Sequence, residues 1–517
     1  MTREITILWA DDEIELLKPH ILFLENRGYK IISVTNGDDA LQIAQKGTVD
    51  IVFLDENMPG KSGLELIEPL KRILPGVPVV MITKSEEENL MEDAIGSQID
   101  DYLIKPVNPN QVLLTLKKHI DNKRLVSSKT TQTYQTQFMQ ISQRINSAQS
   151  IEDWKEIYKN LVFWELELEK TGQGLSEVLK NQKSEANHEF GRFIKSSYAK
   201  WFKENAQDRP LMSPSVFANK IFSMIKAQQK VLFCLIDNFR YDQWQAIKPL
   251  IIEENKVEQE EMYVSILPTA TQYARNSLFA GLMPYDIQQL YPQLWVNDDD
   301  EEGKNFNEAE LLQHQLSRLG VKCQWQYEKI LNQKVSKKVA SNFANFLKND
   351  LTVLVFNFVD MLSHARTETE VIKELAADEA SFRSVTRSWF QHSVLPDIIK
   401  DAVSKGIKVV ITTDHGTIKV TNPVKVIGDR HTSTNLRYKL GRNLDYNPKE
   451  VFEVRKPAEV RLPSINLTSS YIFATDDDFL VYPNNYNHFV NYYRNTFQHG
   501  GVSLEEMLVP FIIIGKK

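Results

Sequence analysis

Short apolar runs, each separated from the next by a helix-like segment, constrain the fold of this chain more than any other feature. Within residues 1–121, five such runs read as strands, and segments such as GLELIEPLKRIL (63–74) read as the helices between them. This alternation predicts a doubly wound parallel sheet of the flavodoxin-like kind. It returns after residue 206, where VLFCLID, LTVLVFNFVD and IKVVITTD read as strands. The sequence therefore predicts an α/β protein with two separate sheets.

The stretch between the two sheets has a different pattern. In residues 122–205, apolar and aromatic residues recur at helical spacing, as in IEDWKEIYKNLVFWELELEK. A helix-turn-helix DNA reader is the alternative to a helical bundle, but no compact basic recognition helix stands out. We therefore expect three domains in the 517 residues, namely an α/β domain at 1–121, a helical bundle connector at 122–205 and a second α/β domain at 206–517.

Composition argues against a nucleic-acid-coating protein, a disulfide-rich secreted protein and a membrane protein. The net charge of −7 gives no support to broad nucleic-acid coating, and two cysteines indicate no disulfide framework. The first residues, MTREITILWADDE, enter a strand pattern without the apolar core of a signal peptide. No stretch approaches the roughly 18 apolar residues of a membrane span. We expect a soluble, cytoplasmic protein without membrane insertion.

Polar residues follow the strands of the first predicted sheet, where function gathers in folds of this kind. These residues are Asp11, Asp12, Asp55, Thr83 and Lys105. Three carboxylates brought together bind Mg²⁺, and one of them can accept a phosphoryl group. The alternative is that these Asp residues only cap helices. That explanation suits a single position better than all five in this order.

Four segments of this domain resemble the motifs of response-regulator receiver domains. They are ADDE (10–13), LDENMPG (54–60), MITK (81–84) and YLIKP (102–106). The resemblance implies a cognate histidine kinase and a phosphorylation-dependent homodimer. It also implies that Asp55 is the phospho-acceptor and that Asp12, Asp55 and the Asn57 carbonyl bind Mg²⁺ with the help of Asp11. Thr83 and Lys105 would contact the phosphate group, and Tyr102 would be the aromatic residue that changes position on phosphorylation.

Aspartates and histidines also follow the strands of the second predicted sheet. His364 comes four residues after Asp360, so the two share one face of a starting helix, and His499 stands in the glycine turn of HGGVSLEEMLVP. Such side chains suit zinc, although manganese accepts the same ligand types. Two metals about 4 Å apart suit displacement at phosphorus. The predicted sites are Asp360, His364 and His499 for one metal, and Asp237, Asp414 and His415 for the other.

A candidate nucleophile precedes the segment YARNSLFAGL, which reads as a helix. Thr271 stands just before this helix, where partial positive charge and free N–H groups favour an ionised hydroxyl. The alternatives are that Thr271 is only an N-cap, or that the nearby Thr269 takes its place. The ligand set around the same sheet favours Thr271 as the nucleophile.

The order of these residues resembles that of the alkaline phosphatase superfamily, and specifically its PglZ branch. The matching order is Asp237, Thr271, Asp360-x-x-x-His364, Asp414-His415 and His499. The resemblance implies two zinc ions, with Thr271 also near the metals, and a covalent phospho-threonine intermediate. A threonine at the nucleophile position is similar to the phosphodiesterase members of the superfamily.

Basic residues near the predicted metal ligands are candidate substrate contacts. The stretch 419–443 follows His415 closely and is rich in Lys and Arg. Such side chains bind phosphate groups, although a solvated basic loop is equally consistent with the pattern. The candidates are Arg275, on the helix after Thr271, and Arg430, His431, Arg437 and Lys439 in the basic stretch.

The whole arrangement resembles a family of response regulators linked to type IX secretion. On this resemblance, phosphorylation of Asp55 controls a zinc phosphodiesterase that acts on a nucleotide or short oligonucleotide. The alternative is that the zinc domain is chiefly a binding platform for a sigma factor or a secretion component. Direct promoter binding has little support in the sequence.

Overall fold

The structure is a computed structural model of the chain. It describes residues 5–47, 49–84, 99–171, 175–204, 206–297, 305–368, 378–429, 432–464, 466 and 468–517. The chain forms two compact units, Met1–Tyr134 and Gln135–Lys517. Each unit is described by itself.

The first unit contains the predicted doubly wound sheet. Its five strands pair in the order β2-β1-β3-β4-β5, and all of the pairs are parallel. The strands are β1 (Ile5–Ala10), β2 (Tyr29–Val34), β3 (Ile51–Asp55), β4 (Val79–Thr83) and β5 (Asp101–Ile104). The helices are α1 (Lys18–Glu25), α2 (Gly37–Ala44), α3 (Gly63–Ile73) and α4 (Pro109–Leu116). The predicted flavodoxin-like fold is confirmed.

Strand β1 shows why this sheet reads as unbroken apolar runs. Leu8 and Ala10 belong to the core on one side of the sheet, and Ile7 and Trp9 belong to the core on the other. Successive side chains of a strand point to opposite faces, so a sheet with both faces covered needs apolar residues at every position. Helices α2, α3 and α4 begin at side-chain caps, as at Ser62, whose hydroxyl accepts a hydrogen bond from the backbone N–H of Glu65.

Three long helices occupy the segment between the sheets. They are α5 (Asn122–Ser147), α6 (Ile151–Thr171) and α7 (Ser176–Ser197). The predicted helical connector is therefore confirmed. Its aromatic residues are largely core, since Trp154, Trp164 and Phe190 are buried, whereas Phe163 is 53% exposed. Helix α6 begins with a capping pair, in which Asp153 accepts from the Ser150 backbone N–H at 2.9 Å.

The second unit is built on a mixed sheet of six strands. Their order is β7-β18-β10-β6-β9-β8, in which β10, β6, β9 and β8 are parallel, while β18 pairs antiparallel with β10 and β7. The strands are β6 (Val231–Ile236), β7 (Asn255–Val264), β8 (Trp325–Ile330), β9 (Leu351–Phe356), β10 (Lys408–Thr412) and β18 (Leu508–Lys516).

Helices connect and cover these strands. They are α8 (Phe222–Lys226), α9 (Tyr241–Ile252), α10 (Thr271–Ala280), α11 (Pro284–Leu290), α12 (Glu308–Arg318), α13 (Gln333–Ser341), α14 (Phe343–Phe346), α15 (Phe358–Glu368), α16 (Glu379–His392), α17 (Leu395–Ser404), α18 (Tyr486–Tyr493) and α19 (Leu504–Met507). Because β6, β9 and β10 run in parallel, their carboxyl ends meet at one edge of the sheet, where the candidate ligands lie.

The run LTVLVFNFVD was predicted as one strand ending at Asp360, and this is wrong. Strand β9 ends at Phe356, its last residue paired with β6, and Asp360 is the third residue of α15. Val359 and Leu362 are buried at helical spacing, so the end of the apolar run is the buried face of a helix. Asp360 and His364 consequently share a helix, as their spacing predicts.

Smaller sheets lie beside the main one in the second unit. Strands β13 (Tyr438–Arg442), β15 (Ser469–Ala474) and β14 (Val451–Val454) form one antiparallel sheet. Two strand pairs complete the set: β11 (Ile418–Lys419) with β17 (Phe497–Gln498), and β12 (Asn422–Lys425) with β16 (Asp478–Val481). The basic stretch 419–443 thus contains β12 and β13 and is not one solvated loop. Among the described residues, no helix is long and apolar enough to cross a membrane.

Candidate phospho-acceptor site and metal centre

The carboxyl ends of β1, β3 and β5 bring together the residues predicted in the first unit. Lys105 Nζ lies 2.9 Å from Asp11 Oδ2 and 2.9 Å from Asp55 Oδ1, so one ammonium pairs with both carboxylates. The hydroxyl of Thr83 donates a hydrogen bond to Glu56 Oε2. Burial raises the pKa of Asp55, and the hydrogen bond from Lys105 opposes that rise. A buried carboxylate beside one lysine suits a group that receives a phosphoryl charge.

The remaining predicted residues of the first site are nearer to the solvent. Ligand atoms of Asp11, Asp12 and Asp55 lie within 4.8 Å of one another, which fits a divalent cation with oxygen ligands. Asp12 is exposed, as is Asn57, which follows the end of β3 by two residues. Tyr102, on β5, is 39% exposed. The structure brings the three carboxylates together, and their role as Mg²⁺ ligands stays a prediction.

The second predicted site forms at the carboxyl ends of β6 and β10. Asp237, Asp414 and His415 are fully buried, and their ligand atoms lie within 4.8 Å of one another. Asp237 directly follows β6, and Asp414 and His415 follow β10 by two and three residues. Because these strands are neighbours, residues 177 positions apart in the sequence share one buried cluster.

Arg275 lies inside this cluster, and its predicted role as a substrate contact is therefore corrected. Its guanidinium pairs with Asp237 Oδ2, donates from Nε to Asp414 Oδ2 at 3.0 Å, and reaches Glu308 Oε1 at 3.3 Å. The side chain is fully buried. The planar fork of arginine fixes carboxylates in this way. Arg275 thus orients two candidate metal ligands and is not available to a phosphate in solution.

Burial and charge act differently on the two carboxylates. Burial raises the pKa of Asp237 well above its ordinary value, and although Arg275 opposes this, Asp414 and Asp360 add to it. Burial also opposes ionisation of Asp414, yet Arg275 and His415 together lower the pKa of that carboxyl. The site therefore concentrates negative charge that a further cation would stabilise.

Thr271 is the first residue of α10, and its hydroxyl faces the cluster. Thr271 Oγ1 lies 3.0 Å from His415 Nε2, and His415 Nδ1 donates to the Gly416 carbonyl at 3.0 Å. Since the carbonyl can only accept, Nε2 is the ring nitrogen that carries the lone pair. The residue preceding the helix is Ala270, so Thr271 is not an N-cap. The predicted nucleophile and a predicted metal ligand are direct neighbours.

Asp360 and His499 form a second group beside the first. His499 Nε2 lies 3.7 Å from Asp360 Oδ1, and the rings of His499 and His415 stack with centroids 4.3 Å apart. The amide of Asn238 donates to Asp360 Oδ1 at 3.3 Å and to Ser363 Oγ at 3.0 Å. His364 is on α15, but its side chain lies outside the described residues.

The glycine turn of His499 is held by Thr269 and Glu506. His499 Nδ1 donates to the Thr269 carbonyl at 3.2 Å, which leaves Nε2 directed at Asp360. Thr269 Oγ1 accepts from Gly500 N at 3.0 Å and donates to the Gly501 carbonyl at 2.8 Å. Gly500 has φ +124°, which favours glycine. Thr269 is fully buried in this role and is not placed as a nucleophile.

An unsatisfied buried oxygen indicates that Asp237, Asp414 and His415 could bind a metal ion. Within the described part of the chain, Asp237 Oδ1 is a buried oxygen without a hydrogen-bond partner, although Oδ2 of the same carboxylate pairs with Arg275. Buried polar atoms are rarely left unsatisfied. Arg275 uses Oδ2 of Asp237 and of Asp414, so Oδ1 of Asp237 is directed into the cluster with His415 Nε2 at 3.9 Å.

The other predicted substrate contacts are corrected or lie outside the described residues. Arg437 is fully buried and pairs with Glu506 Oε2 at 2.6 Å. It therefore helps to hold the turn that carries His499. Lys439 is 1% exposed, and its ammonium lies 4.2 Å from the centroid of the Tyr482 ring. Arg437 directly precedes β13 and Lys439 lies within it, where four consecutive residues are buried. Arg430 and His431 lie outside the described residues.

Sequence reasoning missed several residues that shape the site. Asn238 follows Asp237 in a left-handed conformation with φ +62°, which asparagine tolerates better than most residues. Glu308 and Glu506 are buried carboxylates that pair with Arg275 and Arg437. The dipeptide Asp-Asn after an apolar run was a local signal for Asn238. Glu308 and Glu506 carry no comparable signal, because their partners are distant in sequence.

Three family models match successive parts of the chain. Residues 7–117 match the response regulator receiver domain, and residues 124–202 match the PorX response regulator linker domain. Residues 216–514 match the BREX system PglZ alkaline phosphatase-like domain, which is more than half of the chain. Receiver and alkaline phosphatase-like domains generally bind divalent metals.

Individual relatives match the first domain. The transcriptional regulatory protein ResD of Bacillus subtilis is 32% identical over 116 residues, which are 22% of this chain and 48% of ResD. The phosphate regulon regulatory protein PhoB of Pseudomonas aeruginosa is 32% identical over 114 residues, 22% of this chain and 50% of PhoB. This chain thus spans about half the length of these relatives. The solved chemotaxis protein CheY4 of Vibrio cholerae is 26% identical, with a TM-score of 0.22, covering 23% of this chain and all of CheY4.

Proposed function

This chain belongs to the PglZ family of alkaline phosphatase-like proteins and is a response regulator of the PorX type, and on that premise we propose that it is a zinc-dependent phosphodiesterase controlled by phosphorylation of Asp55. The observation that carries the enzymatic part is the meeting of Thr271 Oγ1 and His415 Nε2 at 3.0 Å, beside the buried carboxylates of Asp237 and Asp414. A hydroxyl, an imidazole and two carboxylates at one buried point suit phosphoryl transfer to the hydroxyl.

Each residue of the centre has a stated part in this proposal. Asp237, Asp414 and His415, with Thr271, hold one zinc ion, and Asp360, His364 and His499 hold the other. Bound zinc supplies positive charge that favours the ionised hydroxyl and stabilises the leaving oxygen. Arg275 keeps the carboxylates of Asp237 and Asp414 in fixed orientations. The Nδ1 hydrogen bonds of His415 and His499 fix both rings with Nε2 towards the centre.

The reaction then proceeds in two balanced steps. Thr271 Oγ loses its proton to solvent and attacks phosphorus, a new Oγ–P bond forms, and the bond from phosphorus to the leaving oxygen breaks; the leaving oxygen takes a proton from solvent and departs as an alcohol. Water next attacks phosphorus, the Oγ–P bond breaks, one proton of the water returns to Thr271 Oγ, the other passes to solvent, and the phosphate monoester departs. The position of Thr271 at the amino-terminal end of α10 supports this role, because that end carries partial positive charge.

The substrate and the regulation belong to the same proposal. A threonine nucleophile is similar to that of the phosphodiesterases of the alkaline phosphatase superfamily. This similarity supports nucleotides and short oligonucleotides as the substrate class. The pairing of Lys105 with Asp11 and Asp55 supports Mg²⁺-dependent phosphorylation of Asp55 by a histidine kinase. We further propose a cytoplasmic protein that dimerises on phosphorylation and regulates type IX secretion, which the PorX linker supports.

The test of the nucleophile compares Thr271→Val with Thr271→Ser in the zinc-loaded full chain. Valine keeps the shape of threonine without the hydroxyl, so we expect diester hydrolysis to fall by about three orders of magnitude or more while zinc stays bound. Serine keeps the hydroxyl and should retain turnover within about tenfold of wild type.

The intermediate is sought by mass spectrometry of acid-quenched protein during turnover of bis-p-nitrophenyl phosphate. We expect a phosphoryl adduct on the peptide that carries Thr271 in wild type and none in Thr271→Val. Full activity of Thr271→Val, or an adduct on another residue, would remove Thr271 from the mechanism.

A further inference from the structure

A largely buried network of polar side chains joins the linker helices to the segments that carry His415 and His499. We call it the linker network and define it by Glu165, Lys183, Asn187, Asp242, Arg383 and Glu505. Glu165 is on α6, Lys183 and Asn187 are on α7, and the other three belong to the alkaline phosphatase-like domain. These contacts lie within the second compact unit.

Asn187 is the closest link between α7 and the short helix α19. Its Oδ1 accepts from the Leu504 backbone N–H at 2.8 Å, and its Nδ2 donates to Glu505 Oε2 at 3.0 Å. Asn187 is 5% exposed, so solvent does not replace these bonds easily. Lys183 Nζ adds a pair with Glu165 Oε2 at 2.7 Å and lies 3.6 Å from Glu505 Oε1.

Helix α19 in turn contacts the backbone beside both candidate histidine ligands. The Glu506 carbonyl accepts from Gly416 N at 3.1 Å, and a Cβ at Gly416 would lie 2.0 Å from the Glu505 carbonyl oxygen. Gly416 directly follows His415. Glu506 Oε1 also accepts from Gly501 N at 2.9 Å, two residues after His499. One short helix therefore fixes the positions of two segments of the metal centre.

A second arm of the network reaches the same region through α9. Arg383 NH1 lies 2.9 Å from Glu165 Oε1 and 3.0 Å from Asp242 Oδ2. Asp242 pairs with Arg240 at 2.6 Å, and Arg240 NH1 donates to the Thr417 carbonyl at 3.4 Å. This arm ends at Thr417, two residues after His415.

We infer that the linker helices α6 and α7 are positioning elements of the metal centre, acting through Asn187 and Lys183 on α19 and thereby on His415 and His499. This inference rests on the proposed function. A helix of four residues such as α19 has no stability of its own, so partners outside it must hold it. Groups that orient metal ligands from behind affect metal affinity strongly. A displacement of α7 therefore changes zinc binding without touching the substrate.

The test exchanges donor and acceptor across the link in the full-length protein. Asn187→Asp keeps the acceptor for Leu504 N but places a carboxylate against Glu505. We expect zinc affinity, measured by competition with a chelating dye, to fall about tenfold and kcat to fall with it, while KM changes little. Adding Glu505→Gln restores a donor to the pair, so the double variant should recover zinc affinity to within about threefold of wild type.

A matched control separates positioning from loss of bundle stability. Gln182, on the same helix, donates to two partners in the bundle, the Phe138 carbonyl and Ser142 Oγ, at 3.0 Å each. Gln182→Leu should lower the melting temperature and leave zinc affinity unchanged. The absorption spectrum of the cobalt-substituted protein gives an independent measure of ligand geometry, which Asn187→Asp should alter and Gln182→Leu should not.

Several outcomes would overturn the inference. They are unchanged zinc affinity in Asn187→Asp, an equal loss in Gln182→Leu, or no recovery in the double variant. Lys183→Met changes the other contact of α7 and should weaken zinc in the same direction if Asn187→Asp does not fold. Zinc binding is read apart from hydrolysis, so a protein that binds zinc but cleaves no diester would contradict the proposed function alone.

Discussion

Thr269 and Thr271 are two residues apart, yet their hydroxyl groups make different contacts in the folded protein. Thr269 bridges Gly500 and Gly501 and so shapes the turn of His499, whereas Thr271 faces His415. The sequence left both as candidate nucleophiles, because either stands near the start of the same helix. Only their long-range contacts distinguish the two residues: Thr269 contacts Gly501, and Thr271 contacts His415. Residue type thus predicted two candidates, and tertiary contacts show which of the two hydroxyl groups faces the candidate metal ligands.

At the residue scale, Arg275 gives a test that separates orientation from substrate contact. Arg275→Lys keeps the charge but loses the planar fork that holds Asp237 and Asp414. We expect zinc affinity and kcat to fall about 10-fold to 100-fold, with KM for the diester within about twofold of wild type. The matched control is Arg442→Lys, whose partner Asp429 lies 3.7 Å away near the surface. A large rise in KM for Arg275→Lys with zinc affinity intact would restore the substrate-contact role.

Lys439 is a second residue whose burial makes a prediction about pH. Burial lowers the pKa of Lys439 to about 7, whereas the unfolded chain holds the proton to about pH 10.4. Between these values the unfolded state binds more protons, so this lysine makes stability rise with pH. Lys439→Met should be more stable than wild type near pH 7, by on the order of 1–4 kcal/mol, and that advantage should shrink towards pH 10. Urea unfolding across this range measures it, and a constant difference would contradict the assignment.

At the scale of elements, strands and helices were predictable where apolar periodicity is strong, and their ends were not. The run LTVLVFNFVD shows the limit, because Asn357 is the single residue between β9 and α15 and apolar residues continue on both sides of it. Helix α19 begins after Ser503, whose hydroxyl accepts from Glu506 N at 3.1 Å. The sequence did not predict that this helix has only four residues or that it packs against α7, since Asn187 and Leu504 are 317 positions apart.

The close approach of α19 to Gly416 gives a prediction at this scale. Gly416→Ala places a Cβ against the Glu505 carbonyl, so the loop carrying His415 must shift. We expect a loss of zinc affinity of about tenfold or more, measured by dye competition. Gly406→Ala is the matched control, because its Cβ meets nothing within 4 Å and only its φ of +75° is strained. It should cost about 1–2 kcal/mol of stability and leave zinc binding unchanged. Equal zinc losses in both variants would argue against a local clash.

For the whole molecule, the order of motifs along the chain was enough to predict three domains of known kinds. Receiver, linker and alkaline phosphatase-like models match in that order, although the boundaries at 121 and 205 stay predictions. The ligand order was predictable because parallel strands place their carboxyl ends at one edge. The buried ion pairs behind the ligands were not, because a charged residue in a sequence gives no sign of its distant partner.

The proposed control of hydrolysis by the receiver concerns the whole chain. Receiver domains in general act by changing a surface on phosphorylation. Within the second compact unit, the linker network connects α6 and α7 to the segments that carry His415 and His499. Control of hydrolysis by Asp55 is therefore the central claim of this account.

The most direct measurement is the rate of bis-p-nitrophenyl phosphate hydrolysis by the zinc-loaded full chain, with and without an acyl-phosphate donor and Mg²⁺. Wild type should cleave the diester at a rate that changes with the donor. Asp55→Asn should cleave it at a rate that the donor does not change, and His499→Ala should lose activity about 100-fold or more because a predicted zinc ligand is gone. No cleavage of the diester by zinc-loaded wild type would contradict the account and favour a domain that binds a sigma factor or secretion component.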